Sequence, residues 1–290
     1  MRKVRPLLIV GLVAGASLAC TLSIPMPPSE IKVGPTEERS IVVDPVGAPG
    51  ETARLELGMG AGELVLRPGD EGALLAGTAT FNIADFEPQV QIDGTRVVVD
   101  QGDLQLEGLP DLRGEDIINR WEFALGGQPI DLQINAGAYK ADIELGGVSL
   151  TGLQISDGAA SVRLGFSKPN PTSIGTLRYV TGASDVRLEG LANANFTQMS
   201  FEGGAGSFVL DFGGALRQDA EVQIDSGLSS LRIVVPRGVP ARAEVQGDLS
   251  EVKTSGEWSG SGNSYVHPGE GPALTFIIHS SLGSVQLESD

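Results

Sequence analysis

The stretch GASDVRLEG, residues 182–190, begins with a glycine and small residues and continues with alternating apolar and polar side chains. The same phrase recurs along the chain, and the glycines that open it are 21, 24, 22 and 23 residues apart: Gly137, Gly158, Gly182, Gly204 and Gly227. A nearly constant period of this size indicates a solenoid, in which each period forms one coil of a stack.

Within one period, residues 143–145, 148–150 and 153–155 each alternate apolar and polar side chains, and glycine-containing breaks separate them. This pattern predicts a coil of about three short strands with one buried face. A single coil buries too few apolar side chains to offset the entropy lost when its backbone is ordered, so coils must stack. We therefore expect Val162, Val186 and Phe208 to lie in one internal column.

The composition supports an all-β fold. Glycine supplies 40 of 290 residues, and 41% of the chain is hydrophobic, which together favour a folded, turn-rich protein over a disordered one. The formal net charge of −17 argues against nucleic acid as a partner, because an acidic surface repels phosphate backbones. With one cysteine, no disulfide can form within the chain.

The N-terminus has the three parts of a secretory signal peptide. Arg2, Lys3 and Arg5 precede an uncharged apolar stretch at residues 7–18, which is too short to span a bilayer. The small residues Ser17 and Ala19 then lead to Cys20, the single cysteine, so the leader resembles a bacterial lipoprotein signal. The resemblance implies cleavage before Cys20 and a lipid on its thiol, which would tether the protein to a membrane.

The remaining chain divides by pattern. We predict a signal peptide at residues 1–19, a lipidated cysteine with a proline-rich linker at 20–50, an N-terminal β region at 51–127 and a β-solenoid at 128–290. Strand-like runs are predicted at 40–43, 54–57, 77–81, 89–92 and 96–99. The repeated phrase also occurs at 60–66, 247–252 and 281–287. Residues 116–121 are the one stretch expected to allow a helical turn.

The run WEFALGGQPIDLQINAGAYKADIELGGVSLTGLQISDGAASVRL, residues 121–164, together with the phrase at 60–66, resembles the toast-rack domains of bacterial envelope proteins. The resemblance implies a single-stranded β-solenoid similar to adhesin-like domains and to the extracytoplasmic domain of cell-wall-antibiotic response regulators. It brings no catalytic motif. The second glycine of Gly60-Ala-Gly62 is replaced by Tyr139, Ala160 and Ser184 in three coils, which is a departure from the pattern.

The sequence offers little chemistry. His267 and His279 lack the neighbouring ligands of a zinc site, and the chain contains none of the common nucleotide, hydrolase or metalloprotease motifs. The glycine-rich run at 202–206 has no downstream lysine and helix, so it is interpreted as a corner and not a phosphate loop. We predict no enzyme activity, no metal and no cofactor.

The outward positions of the repeated strands are predicted to be Glu144, Arg163, Arg187, Val209 and Arg232. Arg163 and Arg187 could form a short ladder that binds an anionic envelope polymer. The alternative is a solvated face, on which Asp142 and Asp185 act as diagonal partners of the arginines. The sequence favours the solvated face.

The stretch GEWSGSGNSYVHPGEGP, residues 256–272, interrupts the repeat. Trp258 and Tyr265 could stack on a sugar ring, or could fold back to cover an exposed end of the core, which the sequence favours.

Taken together, the sequence predicts a lipid-anchored, extracytoplasmic module of the bacterial envelope that acts as a non-catalytic, adhesin-like interaction or scaffold protein. Its expected partners are the membrane, through Cys20, and an envelope protein or glycan. A glycan-binding or glycan-processing protein is the alternative, and the resemblance implies a third function, as an accessory part of a cell-wall stress response.

Overall fold

The computed structural model describes residues 33–70, 72–102, 117–247 and 249–290. These residues form sixteen strands in one sheet system, which confirms the all-β prediction. The predicted signal peptide, Cys20 and residues 20–32 of the linker lie outside the described residues. The boundary proposed between residues 127 and 128 falls in the connector between two strands, and all described residues belong to one compact unit.

Seven strands of 15 or 16 residues form the body of the stack, and each pairs in parallel with the next: β2 (Ala53–Pro68), β7 (Ile130–Glu144), β8 (Leu150–Gly165), β9 (Ile174–Glu189), β10 (Phe196–Asp211), β11 (Ala220–Val235) and β16 (Leu274–Ser289). Shorter strands flank them: β1 (Glu37–Val43), β3 (Leu75–Phe81), β4 (Pro88–Asp93), β5 (Arg96–Gln101), β6 (Asn119–Leu125), β12 (Ala241–Gln246), β13 (Leu249–Thr254), β14 (Ser259–Ser261) and β15 (Ser264–His267).

Each long strand bends once, at a corner position that is a glycine in six of the seven strands and Ser281 in β16. In β9 the buried residues are Leu177, Tyr179 and Thr181 before the bend, and Ser184, Val186 and Leu188 after it. The exposed pair Gly182 and Ala183 lies between the two sets, and this pair shifts the alternation by one residue. A coil therefore has a first arm and a second arm within one strand, and the prediction of three short strands was wrong.

The corner glycines are required by the spacing between coils. A Cβ atom added to Gly182 would lie 2.3 Å from the carbonyl oxygen of Gly158, and one on Gly204 would lie 2.5 Å from that of Gly182. Real Cβ atoms do not approach oxygen so closely, so a side chain here would push neighbouring coils apart. This contact confirms that the repeated phrase is architectural, and it gives the run at residues 202–206 its role as a corner.

Aligned apolar columns fill the interior. Val162 pairs with Val186, and Val186 pairs with Phe208. All three are at most 4% exposed. The column continues through Leu231 to Val285, so the internal column predicted from the sequence is confirmed.

The connectors between coils are held by buried asparagines. Asn170, fully buried, donates from Nδ2 to the carbonyl oxygens of Leu150 (2.8 Å) and Ala194 (3.1 Å), and its Oδ1 accepts from the amide of Leu150 (3.1 Å). Asn193 repeats the arrangement one coil further on, donating to the carbonyl oxygen of Phe166 (2.9 Å). These side chains satisfy backbone groups that no strand partner reaches.

Both ends of the stack depart from chain order. At one end β5 and β6 lie outside β2, and β4, β3 and β1 extend them with antiparallel pairing. At the other end β16 lies between β11 and the pair β12–β13. The predicted helical turn at 116–121 was wrong, since residues 119–121 begin β6. Short 3₁₀ turns occur instead at Ala84–Phe86 and Leu191–Ala194.

Candidate functional surface

The outward side of the second arms carries a row of charged side chains in register, and we call this surface the second-arm face. Its central row reads Asp142, Arg163, Arg187, Val209 and Arg232. The prediction of Glu144 in this row was wrong, because Glu144 pairs with Gly165, two positions further along the strand. The small Ala141 stands where other coils have valine, leucine or phenylalanine, and this disguised the true alignment of the repeat.

Arg163 and Arg187 are neighbours in register, as predicted, and they share one carboxylate. A guanidinium nitrogen of Arg163 lies 2.8 Å from Oε2 of Glu189, and one of Arg187 lies 3.7 Å from Oε1. The hydrogen bond that Arg163 donates to Glu189 raises the pKa of Arg163 above its usual value. Glu189 offsets the repulsion between the two cations, a role that the sequence interpretation gave to Asp142 and Asp185.

The neighbouring charges on this face are also paired across coils. Asp142 contacts Arg67, Arg232 contacts Glu288, and Arg120 contacts Glu63. The hydrogen bond from Arg232 lowers the pKa of Glu288. These groups are largely exposed, so each pair contributes little stability. What the pairs provide is a fixed arrangement of charge.

A shallow open groove on the second-arm face is lined by Arg163 and Arg187. Lys140, Ser161, Asp185 and Ser207 also line it. The side chains of Arg163 and Arg187 are 66% and 51% exposed, so both guanidinium groups remain accessible to a polymer. Positive and negative groups nevertheless alternate around the groove, and it lacks the strong single-sign charge of a typical polyanion site.

Trp258 and Tyr265 lie in the cover at the end of the stack. They are 5% and 7% exposed, and the Trp258 ring packs against the rings of His267 and Phe276. Nε1 of Trp258 donates to the carbonyl oxygen of Glu288 (3.1 Å), and the Tyr265 hydroxyl donates to that of Gly262 (2.9 Å). Their burial supports the covering role and leaves little ring surface for stacking on a sugar.

The two histidines lie apart. His267 is buried; its Nδ1 donates to the carbonyl oxygen of Val239 (2.8 Å), and its Nε2 lies 2.9 Å from the Ser289 hydroxyl. His279 lies on the exterior, with Nδ1 3.1 Å from Oδ1 of Asp225. Among the described residues, no cluster of histidine, cysteine or acidic side chains is arranged to hold a metal ion.

A buried polar cluster inside the corner escaped the sequence interpretation. Tyr179 donates to Oδ2 of Asp157 (2.8 Å), and Thr181 donates to Oδ1 of the same carboxylate. The hydroxyl of Thr181 also lies 2.6 Å from that of Ser184. Burial raises the pKa values of Tyr139 and Tyr179. A signal was available, since the residue before each of the five repeated glycines from Gly137 to Gly227 is small or polar although it points inward.

Within the described part of the chain, no helix has the length and hydrophobicity needed to cross a membrane. The geometry thus defines a class of protein: a β-solenoid module with an ordered exterior face.

Comparison with known families names that class more closely. The family model described as the N-terminal domain of toast_rack, DUF2154, matches residues 32–177, half of the chain, so the chain belongs to the toast-rack family. No curated protein matches this chain.

A solved structure shares the fold. A "putative cell adhesion protein" from Clostridium sporogenes is 16% identical with a TM-score of 0.52, and the match covers 88% of this chain and 100% of that one. Two structures named "putative adhesin" match less well. The one from Bacteroides fragilis is 11% identical (TM-score 0.37, covering 89% and 99%), and the one from Parabacteroides merdae is 11% identical (TM-score 0.38, covering 90% and 99%).

Proposed function

We propose that this protein is a non-catalytic, adhesin-like interaction module of the bacterial cell envelope. The observation that carries the proposal is the second-arm face, where seven second arms in register present paired charges over roughly 29 Å, at the ~4.8 Å spacing of adjacent strands. Extended, repetitive surfaces of this kind suit broad contact with a partner. The toast-rack family and the cell adhesion name of the Clostridium sporogenes structure lend support.

The test is capture of the partner in intact cells. A photoreactive amino acid replaces Val209, which lies in the central row of the second-arm face. The matched control replaces Thr176, an exposed residue on the outward side of the first arm of β9. We expect one defined envelope component to crosslink at position 209 but not at 176, as identified by mass spectrometry. Equal capture at both positions would contradict the proposal.

Extracytoplasmic location and membrane tethering form part of the same proposal. Cys20 at the end of the apolar leader is the expected lipid attachment site, and two or more acyl chains give a durable anchor because each buried CH₂ contributes ~0.8 kcal/mol. Cys20→Ser should therefore move the protein from the membrane pellet to the soluble fraction, with an unchanged circular dichroism spectrum. A variant that stays in the pellet, with no acylated peptide in the wild type, would refute the anchor.

Glycan binding is the second candidate function. It is favoured by one observation: Arg163 and Arg187 share the single carboxylate of Glu189, so the pair retains capacity for an anionic group. Under the main proposal, Arg163→Ala/Arg187→Ala binds anionic envelope polysaccharide as the wild type does. Arg178→Ala, which removes an ion-paired arginine from the first arm, is the control. A loss of binding confined to the double variant would establish the second candidate instead.

A further inference from the structure

The C-terminal strand fills a slot that the rest of the chain forms. One wall of the slot is β11, which pairs with β16 from Ala220 to Val235. The other wall consists of β12 and β13, which pair with its two arms. Both walls present backbone hydrogen-bonding groups, so β16 is paired along both edges although it is the last strand in the sequence.

The slot is specific for the side chains of this strand. Phe276, Ile278, Val285 and Leu287 are fully buried and continue the internal columns. The ring of Phe276 lies 5.0 Å from that of Phe212, in an edge-to-face arrangement. A strand with another pattern would leave these columns incomplete.

Side chains from other parts of the chain also hold β16 in the slot. Trp258 donates to the carbonyl oxygen of Glu288, His267 contacts Ser289, and Asp225 contacts His279. Residues 268–273 connect β15 to β16, and residues 268–271 of this connector are exposed.

We propose that this slot is a strand-exchange site whose partner is a second copy of this chain. The Leu274–Ser289 strand of one copy then completes the stack of the other, and the exchange is reciprocal. Every register pair, column contact and fastening contact is the same in the exchanged dimer as in the single chain. The difference between the two states is confined to the connector and to the entropy of joining two molecules.

Engineered cysteines test the proposal, because Ser230 on β11 and Ser284 on β16 pair in register with their hydroxyl oxygens 3.5 Å apart. All chains carry Cys20→Ser. Copies with Ser230→Cys are unfolded, mixed with copies carrying Ser284→Cys, refolded together and oxidised. A short tether holds its own strand at an effective concentration in the mM range, so roughly one strand in ten should exchange at ~0.1 mM protein. The readout is interchain disulfide on a non-reducing gel.

The control mixes copies carrying Ser207→Cys with copies carrying Ser230→Cys. These positions also pair in register, but both lie on strands in the body of the stack. Interchain disulfide well above this control supports exchange, and an equal yield overturns it. A single chain carrying both Ser230→Cys and Ser284→Cys checks that the pair can close. If it cannot, light scattering of the wild type refolded at the same concentration decides: a dimer that persists on dilution supports exchange, and monomer alone overturns it.

Discussion

At the scale of single residues, the corner glycines allow neighbouring coils to stack closely. Each lies above the carbonyl oxygen of the equivalent glycine one coil earlier, from Gly137 over Gly60 to Gly227 over Gly204. The restriction is one of space, because these glycines do not have positive φ values. The sequence repeat revealed the need for a small residue, and the structure identifies the atom that imposes it.

This close approach predicts a large difference between two glycines of the same strand. Gly182→Ala places a Cβ against a backbone oxygen that cannot move without shifting a coil, so we expect a loss of about 1–3 kcal/mol in unfolding free energy, as for overpacked cores. Gly175→Ala, also in β9, meets nothing within 4 Å and should be neutral or slightly stabilising. Urea unfolding of both variants measures the difference, and equal stabilities would refute the spacing argument.

At the scale of elements, each coil is one bent strand and a connector. The sequence predicted the alternation of buried residues correctly but divided it into too many strands. The predicted break at Gly146–Gly147 is a turn, but this turn also takes in residues 145, 148 and 149, which were predicted as strand. The predicted break at Thr151–Gly152 instead continues β8. Whether a glycine ends a strand depends on its partners in the neighbouring coils, which local sequence does not specify.

The connectors depend on side chains that replace strand pairing. Asn170→Ala removes a fully buried amide whose hydrogen bonds reach Leu150 and Ala194 in the two neighbouring coils, and the carbonyl oxygen of Ala194 loses this donor. We expect a loss of about 2–4 kcal/mol, since each buried unsatisfied group costs about 1–3 kcal/mol. Asn135→Ala, at an exposed position of β7, is the control and should change stability little. Thermal and urea unfolding give the comparison, and a mild effect at Asn170 would contradict the bridging role.

At the scale of the whole molecule, the stack and its period could be predicted from sequence, but the arrangement of its ends could not. The phrase at 281–287 identified β16 as a coil, yet nothing in it indicates that this strand lies between β11 and β12–β13. The candidate surface was likewise predicted in part. The sequence correctly predicted that Arg163 and Arg187 are neighbours. Their shared partner, Glu189, could be identified only once the register of the strands was known.

The end of the stack must be covered, and Trp258 is a central part of the cover. Trp258→Ala should lower the unfolding free energy by about 3–5 kcal/mol, as for other buried aromatic residues, and should leave glycan-array binding unchanged. Val266→Ala, which truncates an exposed aliphatic side chain on the same cover, is the matched control and should have a mild effect. Loss of glycan binding by Trp258→Ala with an unchanged melting curve would reverse the assignment.

The internal columns have a consequence for how such a protein can change in length. Each coil meets its neighbours through the same few positions, as Val162, Val186 and Phe208 do in one column. Duplication or loss of one whole period in the middle of the stack therefore preserves every remaining contact type and leaves both covered ends as they are. The length of the exterior face can thus evolve in steps of one strand spacing, about 4.8 Å, without redesign of the core.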